Sequence, residues 1–290
     1  MHLTERPTAP ARAWFSGPGF APDPGIEPGP DTGRSPDGAR SPAPATAAPP
    51  RLICFPYAGG TPSVYRDWQG LLGRSIRVVP VQLPGRGPRL GEAPYTDLEA
   101  LVTDLTDALL AAGLAHDYAL FGHSMGALLA YEVACALRER GEPEPRHLFV
   151  SGSRAPHLYG DRSDHTLADA DLRRLVHDLG ALDPGDRVGG AYLERRLPVL
   201  RADLTACERY RWRPRRPLDC PMTAYSATRD PLAPAPLVEA WRAYTRASLL
   251  RRHVAGDHFF LTGTGRQPLL RDLRTELTRS TEEKEPSWTY

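Results

Sequence analysis

The chain has 290 residues with 36 Lys and Arg against 35 Asp and Glu, which gives a formal net charge of +1. This length accommodates one large α/β domain, and the balanced charge argues against a general nucleic-acid binder, which carries a basic excess. The four cysteines are widely spaced and form no C-x-x-C or Cys/His cluster, so the sequence predicts neither a metal nor a cofactor. It also contains neither an apolar run near about 18 residues nor the basic start of a secretory signal, so we expect a cytoplasmic protein.

Residues 1–50 form a leader that differs in composition from everything after it. They hold 12 of the 31 prolines and 6 of the 26 glycines and show no apolar periodicity. Such a segment cannot bury enough apolar surface to offset the entropy of ordering it. We therefore predict a disordered leader, and we do not expect its few apolar residues, Trp14, Phe15 and Phe20, to dock. Residues 280–290 are predicted to form a flexible tail.

The body, residues 51–279, alternates short β-branched runs with longer helical stretches. This alternation predicts an α/β fold with a mostly parallel sheet flanked by helices. The predicted strands are Leu52–Phe55, Arg77–Gln82, Tyr118–Gly122, His147–Gly152, Met222–Ser226 and Leu250–Val254. Apolar residues at helical spacing predict helices over Leu98–Ala112 and Met125–Arg140, with Gly141 as the residue that ends the second.

The alternation stops over residues 154–217, where no strand pattern occurs. The helical stretches predicted there are Leu167–Leu179, Ala191–Leu200 and Ala202–Tyr210. An all-helical insertion between two strands of an α/β body indicates a lid over the carboxyl edge of the sheet.

The segment Tyr118–Gly126 places an apolar strand directly before G-x-S-x-G and an amphipathic helix directly after it. This is the context of a nucleophile elbow, in which Ser124 occupies a tight strand-to-helix turn. Gly122 and Gly126 provide the space that this turn needs. The backbone N–H of Met125, at the positive end of the helix, is expected to donate to an oxyanion. We predict that Ser124 is a nucleophile.

A serine hydroxyl needs a base that takes its proton, and in this fold the chain order is Ser, then Asp or Glu, then His. His258 follows the last predicted strand at the carboxyl edge of the sheet, where ligands bind. Asp230 occupies the loop after strand Met222–Ser226, at the same edge. The other usable loop, Ser151–Arg154, holds no carboxylate. The sequence therefore predicts a triad of Ser124, Asp230 and His258.

The loop after the first strand, Cys54–Gly60, contains two consecutive glycines that allow a substrate to approach the backbone. A free N–H in this loop, from Ala58 or Tyr57, is expected to be the second oxyanion donor.

Five motifs follow one another between about Leu52 and Leu261. They are Phe55-Pro-Tyr-Ala-Gly-Gly60, Gly122-His-Ser-Met-Gly126, Leu200-Arg-Ala-Asp203, Arg229-Asp230-Pro231 and Gly256-Asp-His258-Phe-Phe-Leu261. In this order and spacing the chain resembles the type II thioesterases, the stand-alone editing enzymes of polyketide and non-ribosomal peptide synthesis. Medium-chain fatty acyl thioesterases look similar.

The resemblance implies an α/β-hydrolase fold and hydrolysis of acyl thioesters on the phosphopantetheine arm of acyl or peptidyl carrier proteins. It also implies the Ser-His-Asp triad named above and a mobile helical lid. The long leader departs from the family pattern, as does Asp257, where a second glycine is more usual. No nucleic acid or membrane is expected as a partner.

A basic stretch, Arg209–Arg216, ends the insertion with five arginines in eight residues. Because carrier proteins are generally acidic, we expect Arg213, Arg215 and Arg216 to take part in docking. The alternative is a solvated edge of the lid or arginines that cap helix C-termini.

Three other functions remain open at this stage. A carboxylesterase or lipase uses the same triad, and an acyltransferase uses the same nucleophile. A catalytically silent α/β scaffold is disfavoured because all three residue types of a triad occur in the right chain order.

Overall fold

The computed structural model describes residues 9–17, 48–180 and 193–282. Its core is a six-stranded sheet in the order β2-β1-β3-β4-β5-β6, and every neighbouring pair is parallel. The strands are β1 Arg51–Phe55, β2 Arg77–Pro80, β3 Tyr118–His123, β4 Leu148–Ser151, β5 Met222–Ala227 and β6 Leu249–Val254. All six predicted strands are thus confirmed, with ends that shift by two residues at most.

Helices cover both faces of the sheet. They are α1 Trp68–Leu72, α2 Leu98–Ala111, α3 Met125–Glu139, α4 Asp169–Asp178, α5 Leu197–Arg209, α6 Ala235–Glu239 and α7 Arg266–Glu282. Within the ranges given above, no helix combines the length and the hydropathy that a membrane span requires.

Strand β1 shows how a short apolar run builds two cores at once. Ile53 and Phe55 pack in one cluster with residues of α2 and α3, whereas Leu52 and Cys54 pack in the other with residues of α1 and α7. Successive side chains of a strand point to opposite faces, so a run that is apolar at every position is expected for a strand buried on both sides. This buried sheet holds the carboxyl ends of its strands in fixed positions.

The predicted helices of the body are confirmed, and those of the insertion are confirmed in part. Gly141, with φ of +83°, follows the end of α3 as predicted. The two helices predicted over Ala191–Leu200 and Ala202–Tyr210 are wrong as separate elements, because one helix, α5, runs through Arg201 without a break. The first two residues of the former prediction, 191 and 192, lie outside the described residues.

The prediction of a disordered leader is wrong for residues 9–17. Trp14 and Phe15 are buried, and Phe15 pairs in antiparallel fashion with Val81 just beyond β2. The Gln82 N–H donates to the Trp14 carbonyl (2.7 Å), and the Ser16 N–H donates to Pro80 (3.0 Å). Strand β2 lies at the edge of the sheet, and an edge strand presents unpaired backbone groups with which another segment can pair. Burial of the Trp14 and Phe15 rings adds apolar contact area, which the overall composition of the leader does not provide.

Phe20 and the rest of the leader lie outside the described residues, so that part of the prediction is not tested. At the other end, α7 continues three residues past the predicted end of the body, to Glu282, and residues 283–290 of the predicted tail lie outside the described residues.

Candidate active site

Ser124 occupies the tight turn between β3 and α3 that the sequence predicts. Its backbone has φ of 54° and ψ of −120°, in a region that residues other than glycine rarely adopt. A Cβ atom at Gly122 would lie 2.0 Å from the Gly126 carbonyl oxygen, and one at Gly126 would lie 2.1 Å from the Phe55 carbonyl oxygen. Both glycines are therefore required for the close approach of β3, α3 and the loop that follows β1 (residues 56–60, the β1 loop). The geometry is that of a nucleophile elbow.

Asp230 and His258 form a buried hydrogen-bonded pair at the carboxyl edge of β5 and β6. The distance from His258 Nδ1 to Asp230 Oδ2 is 2.9 Å, and the two side chains are 3% and 0% exposed. Asp230 Oδ1 accepts hydrogen bonds from the N–H groups of Leu232 and Ala233. Although burial by itself raises the pKa of this carboxyl, the hydrogen bond and charge of His258 and the two N–H donors hold the pKa of Asp230 below its usual value.

One cavity of about 480 Å³ brings the predicted residues together. Ser124, His258 and Ala58 line it, and Asp230 lies behind His258. The helices of the insertion supply an apolar wall made of Leu172, Leu175, Val176, Leu179, Leu193, Leu200 and Leu204. Across the described part of the chain, no group of three or more His, Cys, Asp or Glu is arranged to hold a metal ion. The cavity suits an apolar chain that ends in a carbonyl group beside Ser124.

Two backbone N–H groups flank this site where the sequence predicts oxyanion donors. Met125 is the first residue of α3, and the first N–H groups of a helix have no acceptor within the helix. Ala58 lies in a turn that is closed by the Gly60 N–H donating to the Tyr57 carbonyl (2.8 Å). Among the residues that the structure describes, the Ala58 N–H donates to no acceptor.

The sequence analysis assigned no role to His123, which lies between Gly122 and Ser124 in the G-x-S-x-G motif. Its ring is fully buried, its Nδ1 lies 2.9 Å from Ser151 Oγ, and its centroid lies 5.1 Å from that of His258. Burial, and next the neighbouring His258, lower the pKa of His123 to about 3. His123 is therefore neutral at physiological pH.

The sequence analysis did not predict a buried ion pair that lies beside the β1 loop. Arg86 donates to both carboxylate oxygens of Asp203, at 2.6 and 2.7 Å, and each side chain is 3% exposed. The Gly59 N–H donates to the same carboxylate at 2.7 Å. A signal existed, since Asp203 follows Leu200 by three residues and precedes Cys207 by four, on the apolar face of a predicted helix.

The arginines predicted to dock a carrier protein line a different part of the surface. None of them is among the residues around the cavity described above. Arg215 is paired with Glu132 (2.5 Å) and lies over the Tyr131 ring, and Arg216 is paired with Asp219. Arg213 is 79% exposed and lies 3.4 Å from Glu99. All three therefore pair with acidic side chains of this chain itself, and Arg215 is the most buried of them.

The family is decided by residues 50–277, which match the thioesterase domain. The chain belongs to the thioesterase family. Among solved structures, the RedJ thioesterase of the prodiginine pathway in Streptomyces coelicolor is 64% identical, with a TM-score of 0.77 over 84% of this chain and 91% of that one. YbtT, a type II thioesterase of the yersiniabactin NRPS/PKS pathway, is 29% identical, with a TM-score of 0.69 over 83% and 97%. The predicted α/β-hydrolase fold and type II thioesterase resemblance are confirmed.

A further relative carries a different name. Linear gramicidin dehydrogenase LgrE of Brevibacillus parabrevis is 42% identical over 214 residues, which are 72% of this chain and 81% of that protein. In the present chain the loop after β1, Phe55–Gly60, lacks the G-x-G-x-x-G pattern by which a dehydrogenase binds a dinucleotide. The turn after β3 holds G-x-S-x-G instead. These features agree with the family match, and the chain is a serine thioester hydrolase.

Proposed function

We propose that this protein removes acyl groups from the phosphopantetheine arm of acyl or peptidyl carrier proteins, and thereby clears misprimed or stalled synthases. The observation that carries the proposal is the cavity in which Ser124 and His258 meet an apolar chamber formed by the insertion. An apolar chamber accepts an acyl chain, and its open side leaves room for a long, thin arm. The relative YbtT is a type II thioesterase of an NRPS/PKS pathway.

In the proposed mechanism His258 takes the proton of Ser124 while the serine oxygen attacks the thioester carbonyl. The N–H groups of Met125 and Ala58 stabilise the oxyanion, and each such donor is typically worth about 3 kcal/mol in the transition state. The carbon–sulfur bond then breaks, and the sulfur leaves with the proton held by His258. A water molecule deprotonated by His258 then attacks the acyl-enzyme carbonyl. The bond to the Ser124 oxygen breaks, His258 returns the proton to that oxygen, and the carboxylic acid is released.

Asp230 has a distinct part in this proposal. Its lowered pKa keeps the carboxylate ionised at neutral pH, so it stabilises the imidazolium that forms when His258 takes a proton. Its hydrogen bond to Nδ1 also orients the ring, which leaves Nε2 for the proton transfer.

Replacement of the nucleophile tests the proposal. We expect Ser124→Ala to lower kcat for an acyl thioester by at least about 10³-fold and to remove the burst of acyl-enzyme. The burst is measured by rapid quench, and labelling by a fluorophosphonate gives a second readout. Ser153→Ala is the matched control, since Ser153 is buried outside the cavity and bonds Tyr159. Unchanged turnover in Ser124→Ala would refute the assignment.

A pair of substrates distinguishes the proposed thioesterase activity from the esterase alternative. The same acyl group is offered as a carrier-bound thioester and as a simple oxygen ester. Faster turnover of the thioester, in kcat/KM, supports the proposed function, and a preference for the oxygen ester would favour a carboxylesterase or lipase.

Carrier docking by the basic stretch is proposed for its exposed members. Arg213→Glu combined with Arg216→Glu is expected to raise KM for a carrier-bound substrate by roughly tenfold and to spare a small thioester, because charge complementarity acts only on the carrier. Arg215 stays unchanged in this test because it pairs with Glu132 inside the fold. Equal effects on both substrates would contradict docking at this surface.

A further inference from the structure

Three segments that are distant in the chain meet at the carboxylate of Asp203. Asp203 belongs to α5 of the insertion, Arg86 belongs to the loop after β2, and Gly59 belongs to the loop after β1. The Arg86 guanidinium donates to both carboxylate oxygens, and the Gly59 N–H donates to Oδ2. The β1 loop is thus bonded to a side chain that comes from the helical insertion.

This contact is built to be rigid. A bidentate pair between arginine and carboxylate fixes both distance and plane, and it is stronger than a bond between neutral groups. The Arg86 Nε also donates to the Pro84 carbonyl (3.0 Å), and the Gln82 side chain donates to the Arg86 carbonyl (2.8 Å). Because both charges are buried, neither side chain has an alternative position in water.

The geometry of the β1 loop explains what such rigidity does. The turn from Tyr57 to Gly60 is closed by one hydrogen bond, and its third residue, Gly59, has φ of +73°, as in a type II turn. The Arg86 Nη1 additionally lies 3.4 Å from the Gly60 carbonyl oxygen. Ala58, the second residue of the turn, is therefore held by fixed peptide groups on its C-terminal side.

Resting on the proposed thioester hydrolysis, we infer that Asp203 and Arg86 are positioning residues of the oxyanion hole: the carboxylate holds the Gly59 N–H, and this aims the N–H of the preceding residue, Ala58, at the thioester oxygen. Neither side chain lines the cavity, so neither touches the substrate. Helix α5 thereby belongs to the catalytic framework as well as to the wall of the acyl chamber.

A double-mutant cycle separates this role from a merely structural one. Ala58→Pro removes the proposed donor and nothing else from the turn, because proline is favoured at the second position of a type II turn. Asp203→Asn removes the charge that holds Arg86. The single variants and the double variant are compared with the wild type in kcat and KM for a small acyl thioester, which needs no carrier docking.

We expect Ala58→Pro to lower kcat by about 10²- to 10³-fold, the loss typical of one oxyanion donor. We expect Asp203→Asn to lower kcat at least tenfold while KM changes less than threefold. In the double variant, kcat should fall less than threefold below that of Ala58→Pro, since the donor that Asp203 positions is already absent. Wild-type kcat in either single variant, or effects that multiply in the double variant, would overturn the inference.

Glu132→Gln is the matched control, because Glu132 is a buried carboxylate that pairs with Arg215 but lies outside the cavity. It should lower the melting temperature and leave kcat within threefold; a loss of kcat equal to that of Asp203→Asn at equal destabilisation would overturn the inference. If Asp203→Asn does not fold, Arg86→Lys replaces it in the cycle, with the same test of non-additivity. Absence of thioester hydrolysis in the wild type would instead refute the proposed function, so the two failures are distinguishable.

Discussion

Helices α4 and α5 both belong to the insertion, yet they differ in what they pack against. Helix α4 buries a single residue, Leu172, whereas α5 buries nine of its thirteen residues. The buried side of α4 meets Leu197 and Leu200 of α5 in a small separate cluster. Helix α5 reaches the main core through Ala206 and Cys207.

This difference shows that the insertion is not one uniform lid. Helix α5 is bonded to the body through Asp203 at one point, and Tyr210, directly after it, donates to Glu132 of α3 (2.6 Å) at another. The apolar side chains of helix α4 pack mainly against α5 and form part of the cavity wall. We therefore expect that the mobile lid implied by the family resemblance involves α4 far more than α5.

The largest effect is expected from a substitution that breaks the attachment of α5 to the body. Asp203→Ala leaves the Arg86 charge buried without its partner, and loss of one member of a buried pair typically costs about 3 to 5 kcal/mol of unfolding free energy. Asp169→Ala in α4 is the matched control, since its pair with Arg201 is mostly exposed and such pairs contribute about 0 to 1 kcal/mol. Urea unfolding measures both, and equal losses would contradict the distinction between the helices.

A smaller effect sharpens the same comparison from the side of α4. Leu172→Ala is expected to cost less in unfolding free energy than Leu128→Ala, although both leucines are fully buried, because Leu172 lies beside an existing cavity and Leu128 lies in the main core. Leu-to-Ala changes in well-packed cores cost about 2 to 5 kcal/mol.

The same variant has a second readout in the acyl chamber. Since Leu172 lines the cavity, its truncation should raise KM for a medium-chain acyl thioester more than for an acetyl thioester. A cost in unfolding free energy equal to that of Leu128→Ala, with no change in KM, would show that α4 is as much a part of the body as α5.

Much of the fold and of the candidate site was predictable because the signals are local. Strands β1, β3 and β4 are runs of mainly apolar residues, and the G-x-S-x-G turn needs its two glycines for contacts with backbone atoms nearby. Asp230 and His258 were predictable because each directly follows a strand of a parallel sheet, and the carboxyl ends of such strands share one edge. Their hydrogen bond follows from that topology.

Other features depend on residues far apart in the chain. The leader composition correctly describes a segment that cannot form a core of its own, but Trp14 and Phe15 are buried by the edge next to β2. The docking role predicted for Arg215 ignored Glu132, which lies 83 residues away and pairs with it. Composition and charge runs do not specify such partners.

The sequence by itself determined the positions of the strands along the chain, the strained turn at Ser124 and the chain order of the proposed nucleophile, acid and base. Only the tertiary structure decided that Asp203, which is 117 residues from Arg86, bonds to the β1 loop. It also decided that α5 of the insertion is bonded to the body, whereas α4 packs mainly against α5. The physical reason is that hydrophobic periodicity and turn chemistry act between close neighbours in the chain. A buried charge, in contrast, requires a partner whose position is set by the packing of the whole domain.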